Sequence, residues 1–107
     1  MEKYKELLEA FKKADPNNFI LVQETIKEMV FIEGKIEDLK KLPFIKVHPE
    51  KPELQKATPA AKQYKELMQT HLYMTKIIVA LINKINFEED DAFSKFLKDV
   101  EERRHLV

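Results

Sequence analysis

The sequence predicts an all-α protein: one long antiparallel helical hairpin with short flanking N- and C-terminal helices. Three observations predict it. Charged residues make up 36% of the chain and β-branched runs are few, a balance that favours helix. Apolar residues recur at helical spacing through four segments. The prolines fall between or at the edges of those segments, where they stop and start helices. At 107 residues the chain is expected to form a single domain, 1–107, with helices over about 2–13, 17–42, 59–85 and 90–103 and a connector over 43–58.

The first helix sets Tyr4, Leu7, Leu8 and Phe11 on one face and charges on the other. Asp15 then reads as an N-cap, with Pro16 at a first helical position. In the second helix Thr25, Met29, Ile32, Ile36 and Leu39 step as a heptad seam, which Val22, Ile26 and Val30 widen. Gly34 sits inside it, tolerated at about 1 kcal/mol relative to alanine or used for close packing. Pro43 biases Leu42 out of helical geometry and ends the helix. Pro43, Pro49 and Pro52 forbid regular helix in the connector, where Phe44, Ile45 and Val47 make a short extended piece that packs on the helices. Thr58-Pro59 restarts the helix as N-cap and first residue. The third helix carries a seam of Ala61, Tyr64, Met68, His71, Thr75, Ile78, Ile82 and Ile85, flanked by Ala60, Leu67, Met74 and Leu81. The acidic run Glu88-Glu89-Asp90-Asp91 suits the start of a last helix, whose apolar face is Phe93, Phe96, Leu97 and Val100.

A helix of about 26 residues is about 40 Å long. That exceeds the diameter of a compact domain this size, whose radius of gyration is about 13 Å. The two long helices are therefore expected to pair as an elongated hairpin. Such a hairpin leaves apolar surface for the short helices and for self-association to cover. The expected oligomer or partner interface is Tyr64, Met68, His71, Thr75, Ile78, Phe93 and Phe96.

Several classes drop out. No cysteine is present, so there is no disulfide or thiolate metal site. The N-terminus lacks the apolar run of a signal peptide. The longest apolar run, Ile77–Ile82, is far below the ~20 residues that span a bilayer. The chain reads as cytoplasmic, in a host cell if phage-encoded. A single glycine leaves no phosphate-cradling glycine loop.

No catalytic constellation is found, and the chain reads as a non-enzyme with no cofactor and no metal. His71 lies on an apolar seam without a metal-ligand partner at helical spacing. His48 is a connector residue and His105 lies in the tail. Glu33, Glu37 and Asp38 precede Lys40 and Lys41 at ion-pairing distance on one helix. The 88–91 run lacks the alternation and glycine of a calcium loop. Serine and threonine are not accompanied by histidine as a nucleophile triad requires.

What remains is residues 40–65. They hold seven lysines, two glutamates and four of the five prolines, in a chain of zero net charge. Lys40, Lys41, Lys46, His48, Lys51 and Lys56 form the candidate DNA-binding set, continued by Lys62 and Lys65. Each bound phosphate contributes about −0.9 to the salt slope. The only arginines, Arg103 and Arg104, lie near the C-terminus, which disfavours base readout.

The order of elements carries a resemblance. A long helix ends at Leu42, an apolar-basic step Val47-His48-Pro49 follows, and a new helix opens Ala60-Ala61-Lys62-Gln63. Over residues 20–85 this resembles the central part of phage small terminase subunits. Residues 50–58 are longer than that family's turn, and the N-terminal part lacks an obvious helix-turn-helix. The resemblance implies a homo-oligomeric, non-catalytic packaging component that binds double-stranded DNA and engages a large terminase subunit. The rival reading is a helical protein-interaction module, such as a phage-encoded inhibitor of a host defence protein, that binds no DNA. Its contact surface would be Phe44, Ile45, Phe93 and Phe96.

Overall fold

A computed structural model describes residues 2–85 and 91–105. The described residues are mostly helical. A 3-10 turn, Glu2–Tyr4, leads into α1 (Lys5–Ala14), and a second, Pro16–Asn18, leads into α2 (Phe19–Lys40). Two short strands follow, β1 (Ile45–Val47) and β2 (Gln55–Ala57), then α3 (Pro59–Asn83) and α4 (Ala92–His105). The strands lie in the connector, where prolines were expected to forbid helix and Ile45 and Val47 to be extended; the pairing of that piece with a second strand was not anticipated. The helix bounds otherwise shift by about two residues, the usual fraying. No described helix is long and apolar enough to cross a membrane.

The chain divides into two compact units, Met1–Glu28 with Thr75–Val107, and Met29–Met74. The first unit holds most of the closed core. Tyr4, Leu7, Leu8 and Phe11 of the N-terminal segment are buried with Val22, Ile26, Ile78, Ile82 and Phe93. Phe11 and Phe93 meet edge to face, their centroids 5.0 Å apart at 79°, an arrangement favoured by the ring quadrupoles. The amphipathic pattern of α1 thus does what its spacing predicts.

Local chemistry fixes the ends of these helices. The Asp15 amide donates to the Phe11 carbonyl at 2.8 Å and closes α1. The Asp15 carboxylate accepts from the Asn18 side chain rather than capping backbone amides. Asp91 caps α4, its Oδ1 accepting from the Phe93 and Ser94 amides at 2.9 and 3.2 Å. The rest of the acidic run, Glu88, Glu89 and Asp90, lies outside the described residues.

In the second unit Met29, Ile32 and Ile36 of α2 are buried, as the heptad reading expects. The α3 seam differs in one step: Met68 is 43% exposed and the adjacent Leu67 is half-buried. Glu33 Oε2 and His71 Nε2 lie 2.9 Å apart, the ring nitrogen donating to the carboxylate. This pair joins α2 to α3 across 38 residues of sequence. Thr58 forms the second tie. Its hydroxyl donates to the Pro43 carbonyl at 2.7 Å and accepts from the Ala61 amide at 3.2 Å, so it caps α3 and closes the base of the connector at once.

Candidate nucleic-acid interface

The connector is a β-ribbon. Its strands are antiparallel, with Ile45 opposite Ala57, Lys46 opposite Lys56 and Val47 opposite Gln55. The Thr58 amide donates to Phe44 and the His48 amide to Leu54. Narrow and wide pairs alternate along such a ladder, so Lys46 and Lys56 form the hydrogen-bonded pair between those two. Their side chains share one face of the ribbon. Ile45, Val47, Gln55 and Ala57 share the other, and all four are exposed.

His48 shapes the turn. Its Nδ1 accepts from the Glu50 and Lys51 amides at 3.2 and 3.1 Å, and the Leu54 amide reaches back to the Lys51 carbonyl at 2.9 Å. Pro49 and Pro52, which have no amide to satisfy, occupy the same tight turn. The histidine expected to contact phosphate therefore spends one ring nitrogen on its own backbone. At the base, Phe44 stacks at a tilt on Tyr64, their centroids 5.0 Å apart. Ile45 and Val47, expected to pack on helices, are instead 57% and 49% exposed.

The structure sorts the six expected DNA-contacting residues into three groups. Lys40 lies 3.0 Å from Glu37, and Lys41 lies 4.0 Å from Asp38, both within the last turns of α2. The Glu37 carboxylate, hydrogen-bonded to the Lys40 ammonium, holds it above the ordinary lysine value of 10.5. His48 belongs to the turn. Lys46, Lys51 and Lys56 are exposed and pair with no carboxylate among the described residues. They are the available cations, and Lys62 and Lys65 continue them on exposed positions of α3.

The expected interface residues fall in both units. Thr75, Ile78 and Phe93 are buried within the first unit, and Phe96 there is half-buried. In the second unit Tyr64 lies under Phe44, His71 is bonded to Glu33, and Met68 is exposed. Sequence reasoning did not select Leu72 and Tyr73 of α3, which are 48% and 66% exposed. Nor did it select Leu54 beside β2. A helical period identifies an apolar stripe but does not say which adjacent position a neighbour covers.

An open cleft of about 420 Å³ in the first unit is lined by Glu2, Lys5, Leu8, Glu9, Lys12, Phe19 and Gln23. A second, of about 250 Å³, lies between α1 and α4. Neither lining contains a serine, threonine, cysteine or histidine. No group of three metal-ligating side chains occurs among the described residues. In comparisons with known proteins, no family model, no curated protein and no solved structure matches this chain.

Proposed function

We propose that this chain is a non-catalytic, self-associating protein of small-terminase type that contacts double-stranded DNA through its β-ribbon and works beside a large motor subunit. The single observation that carries the DNA part is the ribbon itself: Lys46, Lys51 and Lys56, exposed and unpaired with carboxylates among the described residues. A two-stranded ribbon fits the width of the major groove. Lysine without arginine favours phosphate contact over base readout. In this reading α2 and α3 are the arms of a long antiparallel hairpin, and their exposed apolar residues Phe31, Met68, Leu72 and Tyr73 supply self-association.

Three phosphate contacts per protomer give a slope of log affinity against log salt of about −2.7. Raising salt from about 50 to about 200 mM then weakens binding roughly fortyfold for each engaged protomer. Fluorescence anisotropy with a labelled duplex measures both quantities. The Lys46→Gln/Lys56→Gln double variant brings the slope to about −0.9. No binding at ~50 mM salt, or a slope unmoved by that variant, refutes the reading. Light scattering on the full chain tests self-association, and a persistent 12.7 kDa species at high concentration refutes that part.

One observation favours a second reading. The other face of the same ribbon exposes Ile45 and Val47, which suits docking on a protein surface without DNA. Failure of the anisotropy experiment, with Ile45→Asp abolishing a protein complex, selects it.

A further inference from the structure

Lys46 and Lys56 stand directly opposite each other on one face of the ribbon, and like charges so placed oppose the pairing that sets them there. Little else holds the ribbon closed. Its strands are three residues each and every strand residue is exposed, so apolar burial contributes almost nothing. An isolated two-stranded hairpin is marginal in water. Besides its own ladder hydrogen bonds, the ribbon is tied at its base, through Thr58 to Pro43 and Phe44 to Tyr64, and in the turn, through His48. Among the described residues no carboxylate relieves the lysine pair. Glu50 and Glu53, the acidic residues of the intervening loop, make no ion pair with either lysine.

We infer that Lys46 and Lys56 form a clamp for a bridging phosphate, and that occupancy of the clamp closes the ribbon. One phosphate oxygen pair between the two ammonium groups replaces their repulsion with two charge-assisted hydrogen bonds. Anything that binds the closed ribbon better than the open one shifts it toward closure. By reciprocity, a substitution that closes the empty ribbon without supplying the two cations separates order from binding. That the phosphate belongs to duplex DNA rests on the function proposed above. The clamp itself requires only the anion.

The test is NMR-detected hydrogen exchange on the full chain, read at the Lys46, His48 and Thr58 amides, which face the partner strand. A substitution at position 56 does not alter the intrinsic exchange of these three. Lys56→Gln is expected to slow their exchange roughly two- to fivefold without ligand, and at the same time to weaken binding of a short DNA duplex. Lys56→Glu slows exchange further and weakens binding further. In the wild-type chain the duplex, and separately inorganic triphosphate, slow exchange at the same amides. Lys76→Gln removes an exposed charge outside the candidate DNA-binding set and leaves ribbon exchange unchanged. Unchanged or faster exchange in Lys56→Gln overturns the inference, as does duplex binding with ribbon exchange unaltered. If triphosphate slows the ribbon and the duplex does not bind, the DNA reading is lost and the clamp stands. If neither anion slows it, the clamp is lost.

Discussion

Truncating Phe93 distinguishes a core residue from an interface residue. Its side chain is 2% exposed and meets Phe11, itself fully buried, edge to face at 5.0 Å. Removing a buried phenylalanine costs about 3–5 kcal/mol, transfer and cavity together. A domain of this size has about 5–15 kcal/mol in total, so Phe93→Ala removes a large share of it. At a slope near 1.5 kcal/mol per molar urea, the unfolding midpoint falls by about 2–3 M. Circular dichroism at two protein concentrations measures this. The loss must appear at the lower concentration, because the partner ring is in the same chain. Phe93→Leu guards against a variant that does not fold. It keeps most of the volume and loses the ring contact, about 1 kcal/mol, and a cycle with Phe11→Leu should return a coupling of similar size. A loss below 1 kcal/mol for Phe93→Ala, with weakened self-association, refutes the packing argument and returns Phe93 to a partner surface.

Three further outcomes follow from local geometry. Gly34→Ala should stabilise the chain by about 1 kcal/mol in thermal unfolding, because Gly34 lies inside α2 and an added Cβ meets nothing within 4 Å. Thr58→Ala should cost about 1 kcal/mol and raise hydrogen exchange at Ala61, since the hydroxyl serves both the helix amide and the Pro43 carbonyl. Lys40 titrates above the ordinary 10.5 because Glu37 bonds its ammonium. That contribution to stability is fully present below pH 10.5 and is lost as pH rises through the raised value. NMR titration of the Lys40 Nζ should show the shift and Glu37→Gln should abolish it; a shift that survives Glu37→Gln refutes the assignment.

The candidate site was legible in part. The lysines of 40–56 are visible as a charge imbalance in the sequence. The pairing of Lys40 with Glu37 and Lys41 with Asp38 is also readable, since a spacing of three residues places side chains on one helical face. The ribbon was not readable. Its strands, Ile45–Val47 and Gln55–Ala57, are too short to show an alternating pattern, and Pro49-Glu50-Lys51-Pro52-Glu53 carries none of the Asn-Gly or Asp-Gly signals of a tight hairpin. Its turn is organised by His48, whose ring acts through two backbone amides.

By itself the sequence determined where helices run and where they stop. Those decisions are local: a 3.6-residue apolar period, a proline that withdraws an amide, a threonine or aspartate that caps. Tertiary structure decided which of the apolar positions are covered. Leu67 is more covered than Met68, Phe93 is buried against Phe11, and Glu33 reaches His71 across 38 residues. It also placed Lys46 opposite Lys56. Strand register depends on two segments meeting, and no periodicity within either one records the other.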